Sequence, residues 1–287
     1  MRAKSIRNVT LTSTLWALIA WAQVGAAQTP EPATLLDEMQ RALIPTTAQL
    51  SRVQISMHSD QPAGATTLWT ALVVRYRNAT GSRSVISMVS PANIKGSAML
   101  TAPTPDTQTL SLWLYSPEEQ RARTFSPLEA DRHFLTTDFN FEDIAMTTRT
   151  TEPPSLLGSE MHEQQLVWKV QTQPVIDRYY SRMVTWIADE TRLPLKREYY
   201  DRGGKLWKVV KYREQIIDTI PTIVEIELRD VQSRDLSLWR VEALAYARDE
   251  FDARLLSPTS LGTLQAQGFW QQLRPITDDR PGLSQGK

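Results

Sequence analysis

The 287-residue chain has no cysteine and only three histidines. Without cysteine there is no disulfide, so a hydrophobic core must hold the fold, and the usual bacterial lipid anchor on a cysteine after the export signal is excluded. His58, His133 and His162 match no zinc or haem spacing, so no metal and no cofactor is expected. Gly-x-Ser-x-Gly, P-loop and dinucleotide glycine patterns are also missing, which removes the commonest enzymes a sequence can announce. Charge of one sign is lacking too, with 32 basic and 32 acidic residues. A protein that tracks phosphates carries a basic excess or stripe, so nucleic acid is not an expected partner.

One apolar run stands out, and it is short. Arg2, Lys4 and Arg7 precede the stretch from Leu11 to Ala22, and the small residues Val24 to Ala27 follow. This is the pattern of a cleaved export signal over residues 1–27, too short to span a bilayer, which needs about 20 apolar residues. The expectation is a periplasmic protein that is not lipid-anchored. Loss of the signal leaves 29 basic residues against 32 acidic ones, a charge of about −3. Roughly 260 mature residues suffice for a large core.

Helix signals concentrate in one place. Leu35, Leu36, Met39, Ala42 and Leu43 recur at helical spacing, and Pro45 ends the pattern. From about Val53 to Ala247 apolar residues instead recur at every second position between turn residues, as in short strands. Leu68, Leu72, Val74 and Tyr76 share a face, as do Leu110, Leu112 and Leu114; Leu166, Trp168 and Val170; Val224, Ile226 and Leu228; and Trp239, Val241, Ala243 and Ala245. Met183 to Ala188 is apolar on both faces apart from Thr185, so both sides should be covered. Asn78 to Gly81 and Asp201 to Gly204 read as hairpin turns. Roughly ten strands in one antiparallel meander follow, mainly β, preceded by a helix. Residues 129–158 are less periodic and read as an excursion across one rim. The domain is expected over 28–267, and the polar stretch 268–287 as a loosely ordered tail.

The carboxylate-rich segment Asp138 to Ile144 alternates acidic and aromatic residues. Two carboxylates beside an apolar pocket would suit acid/base work, with Glu142, Asp143 and His133 clustered in a polar cleft as its sign. The stronger expectation is that Phe139 and Phe141 pin the loop to the core while the carboxylates cap amides or pair with arginine. Seven tryptophans remain outside the signal, from Trp69 to Trp270; they suit a β core, and a carbohydrate platform stays open.

Several segments, taken in order, resemble one family, the LolA-like outer-membrane lipoprotein-sorting proteins of the LolA/LolB superfamily. Ser90 to Ala98 resembles the family's Ser-Pro, spacer, Lys-Gly-x-Ala segment. Leu112 to Pro117 with Arg121 and Arg123 looks like its Trp-Leu-Tyr-x-Pro hairpin. Thr137 to Ile144 is similar to its Asp-Phe-x-Tyr-Glu-Asp-Leu signature. Trp186 to Asp189, Leu193 to Lys196, Glu198, Tyr200, Asp201 and Gly204 to Leu206 resemble its longest block. The segment from Arg123 to Arg132 lacks the usual Gly/Ser character, and His133 to Thr137 has lost a glycine. The likeness covers about residues 50–262.

The resemblance implies an unclosed antiparallel β-barrel whose concave apolar face is covered by helices and holds acyl chains of lipoproteins or phospholipids. A chain of about sixteen carbons gains on the order of 12 kcal/mol on leaving water, so its transit needs such a cover. It further implies a binding protein and not an enzyme. Its partners would be acyl chains and an inner-membrane transporter of ABC or RND type, with only transient membrane contact. Alternatives within the same fold are a free-lipid carrier for an RND-type exporter and an RseB-like envelope sensor. The lining expected from strand parity is Leu72, Val74, Leu112, Leu114, Leu166, Trp168, Val224, Ile226 and Leu228, with Leu35, Leu36, Met39 and Leu43 as the lid. Arg41 and Arg52 are candidate gating arginines by location.

Overall fold

The structure, a computed structural model, describes residues 29–60, 66–103, 110–125, 133–146, 152–174, 180–247 and 250–277. The expected signal, residues 1–27, and the end of the expected tail lie outside the described residues. So does 126–132, most of the Arg123–Arg132 segment that departs from the family's Gly/Ser character.

Helix α1 spans Pro32–Leu43. Pro32 opens it, where the missing N–H would have had no intrahelical partner. Leu35, Met39 and Leu43 form its buried face, each worth about 1.5–3 kcal/mol on burial. α1 lies against β12 (Ile220–Asp230).

The strands that follow are β1 (Gln49–His58), β2 (Thr67–Asn78), β3 (Gly81–Ser90), β4 (Ala98–Pro103), β5 (Leu110–Ser116) and β6 (Arg121–Phe125). A short helix, α2 (Phe141–Ala145), leads into β7 (Ser155–His162), β8 (Gln165–Thr172), β9 (Tyr180–Ala188), β10 (Pro194–Asp201), β11 (Leu206–Ile217), β12, β13 (Leu236–Tyr246) and β14 (Arg274–Pro275). Both expected hairpin turns are present. Gly81 and Gly204 take φ of +111° and +79° there, a region open to glycine without strain.

The sheet is antiparallel in the order β6-β5-β4-β3-β2-β1-β13-β12-β11-β10-β9-β8-β7, with β14 added to β13. The expected single meander of about ten strands is corrected to two meanders, β1–β6 and β7–β13. They join where β1 pairs with β13 along its whole length. Local periodicity reports hairpins, and a pairing between strands as far apart in sequence as β1 and β13 leaves no local mark. β6 and β7 are the free edges, so the sheet is not closed. The excursion between them carries α2.

Two apolar layers result. The inner face packs Val53, Ile55, Trp69, Val73, Ile86, Met99, Val170, Val210, Val224, Ile226, Leu228 and Trp239 against Leu35, Met39 and Leu43 of α1 and Phe139 and Ile144 of the α2 segment. The outer face of β1–β5 packs Leu50, Val74, Val85, Ala98 and Leu100 under Phe251, Leu256, Leu261 and Leu264. Phe269, Trp270 and Leu273 continue this cover. The run from Gly268 to Thr277 is therefore packed, and Arg274 and Pro275 pair with β13, against the expectation of a loose tail from 268. On β9, Met183 and Ile187 face inward and Val184, Trp186 and Ala188 outward. Lys169 and Lys196 lie over the Trp186 ring, so both sides are covered as expected.

Candidate functional site

The segment from His133 to Met146 crosses the inner face, and its sequence dictates how it is held. Asn140 caps α2: its Oδ1 accepts the Asp143 N–H at 2.7 Å, while Asp143 Oδ2 accepts the Asn140 N–H at 3.0 Å. This reciprocal box satisfies donors a short helix cannot satisfy itself. The other carboxylate oxygen of Asp143 accepts the Tyr199 hydroxyl and lies 3.9 Å from Arg197 Nη1. Arg197 also donates to Thr185 Oγ1 at 3.2 Å. Burial opposes its charge, yet Tyr212, Tyr199 and Asp143 outweigh that and hold the guanidinium protonated above its ordinary range. Burial pushes the Tyr199 phenol well above its usual value.

Five residues earlier the Asp138 N–H donates to Ser237 Oγ at 2.9 Å, and Lys208 Nζ donates to the Asp138 carbonyl at 2.7 Å. Burial raises the Asp138 carboxyl, against the pull of Lys208. The same loss of solvent pulls the Lys208 ammonium down. The α2 segment is thus bound to β10, β11 and β13 by buried polar contacts. The expected role of the acidic-aromatic signature, rings to the core and carboxylates to amides and arginine, is what the geometry shows.

Its opposite side is greasy. Phe141 meets Phe125 of β6 at 4.9 Å between ring centroids and Phe134 edge-on at 5.7 Å. Between these rings and β3–β6 lies a cavity of about 590 Å³. Ile86, Met88, Ile94, Met99, Leu114, Phe125, Phe134, Leu135 and Phe141 make its apolar lining, and Ser116, Glu119, Arg121 and Arg123 its polar part. The volume falls in the range of pockets that enclose small ligands, roughly 300–1,000 Å³. β6, a free edge of the sheet, forms part of its wall.

α1 closes the interior and is tied at several points. Gln40 Nε2 donates to the Met146 carbonyl at 2.6 Å, which joins α1 to the end of α2. Glu38 pairs with Arg192 at 2.8 Å, and Arg77 donates to the Ile44 carbonyl at 3.2 Å. Arg41 pairs with Asp37 on the exposed side of α1, and Arg52 is exposed, so neither candidate gating arginine faces the interior.

The expected lining divides. Val224, Ile226 and Leu228 are buried on the inner face, with Leu112, Leu114 and Trp168 half-buried against the same cluster. Leu35, Met39 and Leu43 are buried on α1, and Leu36 packs at the edge. Three residues need correction. Val74 belongs to the outer cluster, and Leu72, in step with it on β2, points the same way. Leu166 is 39% exposed at the start of β8. On β2 both faces are apolar because both are covered, so parity could not choose between them. Of the predicted lining only Leu114 borders the 590 Å³ cavity. Phe134, Leu135, Ile94, Met88 and Met99 do so unpredicted. The signal for them was position: Ile94 lies in the Ser90–Ala98 segment, Met88 and Met99 flank it, and Phe134 and Leu135 precede the acidic-aromatic segment.

The acid/base reading does not assemble. His133 Nδ1 meets the Thr137 carbonyl at 2.8 Å, while Asp143 faces Arg197 and Tyr199. Among the described residues, no group of three or more His, Cys, Asp and Glu is placed to hold a metal. The tryptophans are dispersed: Trp69 and Trp239 in the inner core, Trp113 and Trp270 on the outer face, and Trp186 in a third cluster. They form no continuous stacking platform. No helix of the described residues is long and apolar enough to cross a membrane.

A family model described as "Uncharacterized protein" matches residues 80–263. No curated protein matches the chain. Among solved structures, it is similar to a putative outer membrane lipoprotein-sorting protein domain from Vibrio parahaemolyticus, with TM-score 0.66 and 18% identity over 80% of this chain and 97% of that one. A DUF1329 family protein from Desulfovibrio piger gives TM-score 0.64 and 21% identity over 81% and 100%. A LolA superfamily protein from Nitrosomonas europaea gives 0.60 and 19% over 80% and 98%. The fold is LolA-like.

Proposed function

We propose a lipid-carrying role for this chain, which belongs to the family whose model spans residues 80–263 and has a LolA-like fold. It binds acyl chains of lipoproteins or lipids, carries them through the periplasm towards the outer membrane, and performs no catalysis. The observation that carries this reading is the 590 Å³ apolar cavity at the open edge of the sheet, walled by β3–β6 and the Phe134–Phe141 side of the α2 segment. An acyl chain there exchanges water for Ile86, Met88, Met99 and Leu114, at ~0.8 kcal/mol per CH₂.

The test is native mass spectrometry, with organic extraction, of the protein purified from periplasm without detergent. A bound lipid or acylated peptide is expected, and its mass names the cargo. Uptake of a fluorescent fatty acid should be lost in Leu114→Asp and reduced in the cavity-filling Met88→Trp. Empty protein that takes up no fatty acid ends the proposal.

A further inference from the structure

Away from the polar contacts of the α2 segment, the inner face carries a row of polar residues that lie side by side on four adjacent strands. Gln49 of β1 is opposite Arg75 of β2, Arg75 is opposite Ser84 of β3, and Ser84 is opposite Thr101 of β4. Directly opposed side chains are about 5 Å apart, so the row spans ~15 Å. All four are buried, with Arg75 at 3% exposure. Arg75 follows Ala71 and Val73 on the inner parity of β2, as Ser84 precedes Ile86 on β3 and Thr101 follows Met99 on β4.

These groups are short of partners. Arg75 Nη1 reaches Gln49 Oε1 at 3.5 Å, whereas Arg75 Nε and Nη2, Ser84 Oγ and Thr101 Oγ1 have no hydrogen-bond partner among the described residues. The Trp239 ring lies 5.8 Å from the guanidinium carbon and offers only a weak quadrupole. Burial draws the Arg75 pKa down to about 10, which leaves it charged at neutral pH. Each buried unpaired donor costs about 1–3 kcal/mol, and a charge more. Stability therefore gives no reason for the row. A guanidinium with two free nitrogens beside the Ser84 hydroxyl, with that of Thr101 next along the row, matches a carboxylate or phosphate oxygen pair.

The row also has a neighbour. Ile86 and Met99, which line the 590 Å³ cavity, are the next inner-face residues along β3 and β4 from Ser84 and Thr101, a step of about 7 Å. An apolar chain lying in the cavity would end at the row.

We propose that the Gln49–Arg75–Ser84–Thr101 row binds the anionic end group of a single-chain amphiphile, such as the carboxylate of an unesterified fatty acid, inserted acid-first with its chain in the apolar cavity. This rests on the acyl-carrier reading and narrows its cargo.

The test is calorimetric titration of the delipidated mature protein with laurate, with 1-dodecanol of the same chain length and with inorganic phosphate. Laurate should bind about 10- to 100-fold more tightly than dodecanol, the worth of hydrogen bonds to a charged group. In Arg75→Gln the two affinities should converge on the unchanged dodecanol value, and phosphate alone should not bind. Should Arg75→Gln not fold, as judged by circular dichroism, Ser84→Ala/Thr101→Val should narrow the same gap. Equal binding of laurate and dodecanol by the native protein overturns the row as an acid site while the acyl-carrier reading stands. Failure to bind either overturns both. Phosphate binding that needs Arg75, without a preference for laurate, makes this a free-anion site and overturns the amphiphile.

Discussion

Replacement of Asp143 by asparagine isolates the charge that ties α2 to β10. The Asp143 and Arg197 side chains are only 7% and 5% exposed. Removing one partner of a buried pair typically costs about 3–5 kcal/mol, because the other charge stays buried. The 3.9 Å separation is at the outer limit of an ion pair, and Arg197 keeps its bond to Thr185 at 3.2 Å, so the low end, about 3 kcal/mol, is expected. Asparagine still offers an oxygen to the Asn140 N–H, so both bonds of the box survive; Asp143→Ala loses this one while Asn140 still accepts the residue-143 N–H, adding ~1 kcal/mol. At 2–4 °C per kcal/mol for a domain of this size, Tm should fall by roughly 6–12 °C in Asp143→Asn and further in Asp143→Ala. Thermal unfolding followed by circular dichroism reads the shift, and amide exchange over residues 141–146 should rise in the same variants. A double-mutant cycle with Arg197→Met should return a coupling of at least ~1 kcal/mol. A loss below ~1 kcal/mol in Asp143→Asn, or a coupling near zero, refutes the claim that this contact anchors the cavity wall.

Three further outcomes are expected. Arg75→Met removes a buried charge whose Nε and Nη2 have no hydrogen-bond partner among the described residues, so the ligand-free protein should become more stable by about 1–4 kcal/mol in urea titrations; destabilisation would mean the row is already satisfied. Asp138 has its carboxyl raised by burial, so the folded chain holds that proton more tightly than the unfolded one, and its contribution to stability is lost as pH rises from the ordinary value near 3.9 through the folded value. Asp138→Asn lacks that loss and should gain on the native protein as pH rises above about 4, and urea midpoints that run parallel would contradict this. Gln40→Ala removes the bond between α1 and the Met146 carbonyl, worth ~1 kcal/mol, and should speed fluorescent fatty-acid uptake about fivefold by stopped flow if α1 is the lid; an unchanged rate points to another way in.

Strands were legible where one face was covered and one was wet. Val224, Ile226 and Leu228 alternate with Glu225, Glu227 and Arg229, and the inner assignment of this strand holds. On β2 the rule had nothing to act on, since Ala71 and Val73 are buried inward while Leu72 and Val74 are buried outward. What makes the outer face apolar is the segment from Phe251 to Leu273, far along the chain. On β13 the alternation itself breaks. Arg52 pairs with Ala243 but Val53 with Val241, so Glu242 is an extra residue, and the bulge turns Leu244 and Tyr246 inward where an unbroken period had put Ala243 and Ala245.

The site was harder to read because its two halves follow different rules. The acidic-aromatic signature announced itself by composition, and its Asp143 carboxylate went to the cap and the buried Arg197 as chemistry demanded. The cavity wall on its other side is made of residues brought together only by the order β6-β5-β4-β3. Arg75 shows the same limit more sharply. In sequence it stands between Val74 and Tyr76 as one charged residue in a strand, the usual mark of a solvent-facing position. Only the pairing of four strands, which places Gln49, Ser84 and Thr101 beside it, makes it a buried cation without an anion. A fold that needed only to be stable would fill that position with valine or methionine. The retained charge thus argues for a ligand, whereas Arg197, also a buried guanidinium on the inner face, has found Asp143 and Thr185 within the chain.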